Sequence, residues 1–410
     1  MSENVRRLAN KKTRRETGLD YVVGALNLLT PFGAKLIKEQ KPFFPGQEEE
    51  LRAELKRVQR MADIAGANER EISVLQETFM MMKDNTFTIE RSARAALSVV
   101  EIFEIKSLLL LIDKVRKTAD KVILPEEFVP EDITELLDEL DPGKDRLNTF
   151  YIYDSFSEKL AQLRREKKEL ERESRKGKKK RANELRGRCG LSLTPKFDIT
   201  ISKSDADKIK MIEEISELAK SEEDYMSVTF TLAPSEEDNL MQKKMDEITA
   251  DIEEEELKVR EELSAEIHKW EDVLLEGCDR IGRLDITLAK ALLAIKRNCV
   301  MPEIAKEHVV EFTDGRHLQV EEIIRRKGGE YCPISISMKQ GVTCITGANM
   351  GGKTISLKLV GMIAIMAQYG YFVPAASARV GLSGFMQILI GDSQSIERGL
   401  SGSPSLSSAT

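Results

Sequence analysis

The octapeptide Gly347-Ala348-Asn349-Met350-Gly351-Gly352-Lys353-Thr354 constrains this chain more than any other feature, because it satisfies the pattern G-x-x-x-x-G-K-[ST]. Such a loop works only in one setting. Its glycines let the backbone turn so that successive N–H groups point into one anion-sized hollow, and the helix that follows adds the positive end of its dipole. A lysine then supplies a point charge for the β- and γ-phosphates and a hydroxyl a ligand for Mg²⁺, roles that fall to Lys353 and Thr354. The flanks suit that use: GVTCITG (341–347) is expected as a short strand and Lys353 to Tyr369 as an amphipathic helix. YFVPA, ARVG and the apolar GFMQILIG (384–391) follow. The region from about Val300 is therefore expected to be α/β, its strand, loop, helix and strand forming a parallel sheet. The alternative is a Gly-rich turn with an incidental lysine. A complete ATPase site also needs an apolar strand ending in Asp-Glu. The candidate, ILIGD ending at Asp392, reads as a loop, so no catalytic residue is assigned.

Upstream of Val300 the period is mostly helical. LDYVVGALNLLTPFGAKLI runs to the break KPFFPGQ, a charged helix follows, and LSVVEIFEIKSLLLLIDKV is apolar nearly all round, as a buried helix is. A second helical stretch starts near Tyr153 and becomes strongly basic. Between Arg164 and Arg188 there are 13 Lys/Arg against 5 Asp/Glu, densest at Arg175, Lys176, Lys178, Lys179, Lys180 and Arg181. PKFDITISK (195–203) and YMSVTFTLA (225–233) alternate as strands do, with a helical, acidic segment between them. From Leu263 to Ile295 apolar residues recur at steps of three and four, a seam of roughly 45 Å at 1.5 Å per residue. A basic helix going out, a strand-rich tip and a long helix coming back suggest a helical arm.

Composition narrows the class. With 41% hydrophobic and 32% charged residues, 5% aromatics and a net charge of −7, the chain is expected to be globular with long charged helices. The longest apolar run, Leu359 to Ala367, is far short of the roughly 20 residues of a spanning helix, so no membrane association is expected. The five dispersed cysteines fit reduced thiols in a cytoplasmic protein and offer no metal site. The three histidines are isolated, and His317 has no nameable acid–base partner in the sequence.

TGANMGGKT resembles the TGPNMGGKST loop of the MutS family, and GRHLQVEE (315–322), GYFVPA (370–375) and IGDSQSIERGLS (390–401) resemble segments of that family's ATPase domain. The likeness extends to TGLDYVVGALNLLTPFG as core helices and to 150–300 as lever helices with an inserted clamp. It implies a multidomain, mainly α protein with a long lever and clamp arm, followed by a truncated α/β P-loop ATPase domain. The expected organisation is a basic tail at 1–16, a helical core at 17–150, and an arm at 151–299 with its tip at about 175–235. A partial ATPase domain at 300–401 and a disordered Ser-rich tail at 402–410 complete it. The resemblance implies ATP and Mg²⁺ held by Gly347 to Thr354, Tyr331 stacking on adenine, and Ser401 reaching the nucleotide of a partner subunit. A half-buried Tyr331 packing on the sheet is the competing reading. Three departures stand out: no amino-terminal mismatch reader, an end before the Asp-Glu strand, and no carboxy-terminal nuclease-like module. Phe156-Ser157-Glu158 matches the reader's Phe-x-Glu in letters but falls on the arm helix, as a coincidence would.

These features give the expectation of an ATP- and DNA-binding, mismatch-repair-like dimer, homo- or heteromeric. The basic residues 175–181 would touch the DNA backbone, and nucleotide would be coupled to clamping of mismatched or branched DNA. Hydrolysis would be weak, so enzyme status stays open. The competing reading of the basic stretch is a solvated helix face. The alternatives for the whole are a MutS-related remodelling or chaperone subunit gripping a protein in a metabolic system, and a truncated nonfunctional remnant.

Overall fold

The computed structural model describes residues 7–346 and 352–390. Helix makes up 58% of it, so the mainly α class holds, and the sheets are small. The helices in chain order are α1 (Lys11–Glu16), α2 (Leu19–Gly24), α3 (Pro31–Glu39), α4 (Glu48–Ala67), α5 (Glu69–Met80), α6 (Thr86–Arg91), α7 (Val99–Val122), α8 (Thr134–Leu140), α9 (Glu158–Cys189), α10 (Ala206–Glu213), α11 (Glu236–Lys269), α12 (Glu271–Lys296), α13 (Leu318–Arg326) and α14 (Lys353–Gln368). The strands are β1 (Asp198–Ser202), β2 (Leu218–Glu223), β3 (Ser227–Leu232), β4 (Glu303–Ala305), β5 (Val309–Gly315), β6 (Ile334–Lys339) and β7 (Ser377–Gly381). The chain divides into two compact units, one of residues 1–87, 107–137 and 270–410, the other of 88–106 and 138–269.

In the first unit α12 packs against α3 and α4. Thr30 caps α3 ahead of a first-turn proline, its hydroxyl accepting from Gly33 N at 2.9 Å. From α12 the buried Asp285 carboxylate accepts from Thr30 N at 2.8 Å, Thr30 Oγ1 at 2.7 Å and Leu29 N at 3.0 Å. The helices meet so closely that a Cβ on Gly33 would lie 2.6 Å from Asp285 Oδ2. The sheet has the order β4-β7-β5-β6, with β4 and β7 parallel and the β5–β7 and β5–β6 pairs antiparallel. Helix α14, apolar on all sides after its first turns, packs its Leu359, Met362, Ile363 and Met366 in one core with Phe312 and Val380.

Several expectations change here. The sheet is mixed rather than parallel. Residues 341–346 form no strand and Val342 is fully exposed; a strand exists only as a rung of a ladder, and no described segment pairs with this one. The strand expected at 384–391 is, as far as Ile390, reduced to an isolated bridge between Met386 and Ala9. That bridge shows where residues 7–16 go. Polar in composition and tail-like in the sequence, they instead enter the core: Leu8 and Ala9 join the α14 cluster, Thr13 is buried, and Asn10 caps α1. A basic segment needs only one apolar or small-residue face to be buried, which net charge does not reveal. The seam at 263–295 breaks at Trp270, α12 belongs to the first unit, and Ile295 at its end is exposed.

In the second unit α9 and α11 lie against each other, about 48 and 51 Å long at 1.5 Å per residue. Between them in the chain comes an antiparallel sheet of order β1-β3-β2 with α10, closed over Leu185, Ile201, Ile212, Val228 and Phe230. β1 and β3 fall where alternation predicts strands. β2 departs from expectation: LAKSEE has little β-branched content and is a strand because the open edge of β3 accepts it, Leu218 opposite Leu232. Nearer the base of the unit, buried Lys106 donates to Asp141 Oδ1 at 3.0 Å and to Thr149 O at 2.9 Å.

Candidate functional site

Gly352 precedes α14 with φ +78° and ψ 5°, in the left-handed region that favours glycine, and a Cβ there would meet nothing within 4 Å. Backbone conformation, not space, therefore selects glycine at this position. Lys353 and Thr354 occupy the first turn of α14 and are half-buried. The turn carries orphan backbone N–H groups and the positive helix end. Gly352 O accepts from Ser356 N at 2.9 Å, so the helix starts at this glycine. The other expected phosphate ligands, Gly347, Ala348, Asn349, Met350 and Gly351, lie outside the described residues, as do Asp392, Ser401 and 402–410. The described part fits a nucleotide phosphate: a glycine in the required conformation, a lysine and a threonine hydroxyl at a helix start.

Beyond its first turn, α14 is locked down near its middle and at its far end. Buried Lys358 pairs with Glu16 of α1 at 2.6 Å. Gln368 donates to Phe43 O and Ser383 O, both at 2.9 Å, and accepts from Ser383 N at 3.1 Å. A buried lysine and a fully satisfied buried glutamine give this helix a fixed position, which an amphipathic pattern alone does not.

Tyr331 sits in the loop before β6, half-buried, its hydroxyl accepting from His317 N at 3.1 Å. Burial raises the phenol above its ordinary value, so it stays neutral. His317, which leads into α13, is fully buried, and neither ring nitrogen has a hydrogen-bond partner among the described residues. Burial first, then the charge on Lys358, push its pKa down to about 4, so the ring is neutral at pH 7. The sequence carries no signal for this pairing, because Lys358 and His317 meet only in the folded chain.

The basic residues 175–181 all lie on α9 but do not share one face. Arg175, Lys176, Lys179 and Lys180 are exposed, and Lys176, Lys179 and Lys180 line a shallow depression with Asn183. Lys178 is half-buried, and Arg181 turns inward, pairing with Asp238 of α11 at 2.6 Å and donating to Ala233 O at 3.1 Å. The helical period explains the division: Ser174, Lys178, Arg181 and Leu185 follow the stripe that faces inward. Ser157 of the Phe-Ser-Glu triplet is the N-cap of α9, accepting from Leu160 N at 3.2 Å, which is a structural role for those letters.

Residues 343–403 match the model of MutS domain V. Over 167 residues the chain is 35% identical to a protein of Symbiobacterium thermophilum named endonuclease MutS2, covering 38% of this chain and 20% of that protein. Over 153 residues it is 36% identical to a DNA mismatch repair protein MutS of Rhodopseudomonas palustris, 36% of this chain and 17% of that one. A Clostridium botulinum endonuclease MutS2 is 39% identical over 143 residues, 34% of this chain and 17% of that protein. The C-terminal region belongs to the MutS family. The aligned part thus spans about a fifth of the length of these curated relatives. The MutS match begins in the loop that precedes Gly347 and includes the whole of α14, so the phosphate-loop residues and their helix are family features. Among the described residues no helix is long and apolar enough to cross a membrane, and no cluster of metal-ligating side chains occurs.

Proposed function

We propose that this chain is an ATP- and DNA-binding MutS-family protein in which the residues from Gly347 to Thr354 hold ATP with Mg²⁺ and the exposed basic face of α9 holds a DNA backbone. The observation that carries the nucleotide half is Gly352, left-handed at the start of α14 with Lys353 and Thr354 next to it, inside the match to MutS domain V. Lys353 would meet the β- and γ-phosphates, Thr354 would ligate Mg²⁺, and Tyr331 would bear on the adenine. The DNA half rests on Arg175, Lys176, Lys179 and Lys180, exposed together on a helix in a chain whose net charge is −7. Nucleotide would change the grip on DNA, and the protein would work as a dimer in which Ser401 reaches the partner's nucleotide.

The experiment has two arms. A fluorescent ATP analogue with Mg²⁺ should bind the parent chain, and Lys353→Ala should abolish that binding. Duplex and branched DNA should bind with a steep salt dependence, and Gln at 175, 176, 179 and 180 should flatten the log–log slope by about 0.9 for each phosphate no longer neutralised. Unchanged DNA binding in that variant would refute the α9 assignment. A second reading, a MutS-related subunit gripping a protein, is favoured by the β2–β3 turn. There Tyr225 is 99% and Met226 78% exposed, an apolar tip suited to a protein surface rather than to a DNA backbone. Absence of DNA binding at low salt by a folded chain would select it.

A further inference from the structure

We propose a second nucleic-acid site, for single-stranded nucleic acid, in a cleft of about 1410 Å³ in the first unit. Its walls come from the N-terminal segment, the end of α3 with the loop behind it, and residues 369 and 385. Seven Lys and Arg side chains line it against Asp20 and Glu39, a local excess of five positive charges in a protein of net charge −7. Arg14 is spoken for, pairing with Asp20 at 3.1 Å. Arg7, Lys11, Lys38 and Lys41 are exposed and make no ion pair among the described residues. Like charges gathered without counter-charges repel one another and cost stability, which a bound polyanion offsets.

The floor distinguishes the polyanion. Tyr369 is buried below Arg14, whose guanidinium stands 5.9 Å from its ring centroid, while Phe385 is 61% exposed at the cleft wall. The segment that carries Phe385 is tied to the N-terminal residues by Met386 N donating to Leu8 O at 2.6 Å, so the ring is presented on a fixed support. An exposed aromatic among unpaired cations matches bases that are free to stack and phosphates that follow them, the chemistry of a single strand. A duplex hides its base faces, and the cleft exceeds the roughly 300–1,000 Å³ typical of a small-molecule pocket. The cleft lies at the far end of α14 from Lys353, about 24 Å along the helix, and in the other unit from α9, so it is neither site of the proposed function.

The test uses the full chain with Gln at 175, 176, 179 and 180, which removes the α9 contribution and keeps the two proposals separable. A labelled oligo-dT of about 20 nucleotides is titrated by fluorescence anisotropy across a salt series, beside a blunt duplex of equal length and poly-glutamate. We expect oligo-dT to bind tightest. Gln at Arg7, Lys11, Lys38 and Lys41 should weaken it more than tenfold and reduce the salt slope by up to about 0.7 per phosphate, or about 3 in all. Phe385→Ala should weaken it about tenfold with the salt slope unchanged, the signature of a lost stack. All five substituted positions are exposed, and an unchanged thermal melt confirms folding. Oligo-dT binding that is absent, or that survives the four-Gln variant, overturns the proposal. Stronger binding of poly-glutamate reassigns the cleft to an acidic peptide and overturns it as well.

Discussion

Removing the Asp285 side chain tests how α12 holds the start of α3. Its Oδ2 collects three donors, Thr30 N at 2.8 Å, Thr30 Oγ1 at 2.7 Å and Leu29 N at 3.0 Å, while Oδ1 takes only a long 3.3 Å share of Leu29 N. In Asp285→Ala the Leu29 N–H, half-buried, can turn to water, but both Thr30 donors are buried and lose their acceptor. Each costs about 1–3 kcal/mol, and loosening the Thr30 cap adds about 1, for a total of about 3–7 kcal/mol. At about 2–4 °C per kcal/mol for a unit of this size, the melting transition of the first unit should fall by roughly 10 °C. Asp285→Asn should cost about 1 kcal/mol or less, because the amide oxygen can sit where Oδ2 accepts all three bonds. The carboxyl has no cationic partner among the described residues, and burial, offset in part by the Thr30 and Leu29 bonds, raises its pKa above 3.8. A raised folded-state value means stability fully present below 3.8 and lost as pH rises through that higher value. Wild type should therefore gain on Asp285→Asn as pH falls from about 7 towards 4. Urea denaturation of the three proteins at about pH 4, 5 and 7 reads both effects. An alanine variant within about 0.5 kcal/mol of wild type, or an asparagine variant as weak as the alanine one, would refute the reasoning.

Three further outcomes follow from buried and half-buried polar groups. Glu16→Ala should cost about 3 kcal/mol by leaving Lys358 charged and buried, whereas Lys358→Met should stay within about 1, as urea midpoints will show. His317, held near pKa 4, contributes stability that is present above 6.5 and lost as pH falls towards 4, roughly 3 kcal/mol over the full window. His317→Leu should remove that part of the pH slope, and an identical slope in both proteins would count against it. Arg181→Ala should lower the melting temperature of the second unit while leaving the salt slope for DNA unchanged, since its charge is spent on Asp238. A changed slope would return Arg181 to the DNA-facing set.

The sequence by itself determined whatever depends on local spacing. Helices α9, α11 and α14 follow from three- and four-residue periods, β1 and β3 from alternation, and the glycine demand at 352 from the loop chemistry that ends where α14 begins. The same period separates Arg181 from Lys179, although charge counting alone pools them. Tertiary structure decided what depends on partners distant in the chain. LAKSEE becomes β2 because β3 has a free edge, and GVTCIT stays unpaired where no described strand adjoins it. Residues 7–16 fold inward because Met386 and α14 receive them, and Lys358, His317 and Asp285 become buried charges or neutral rings only through partners far away in the chain. Periodicity is a property of one segment, whereas a ladder partner, a counter-charge or an excluded water belongs to two segments at once. Only the folded chain brings those together.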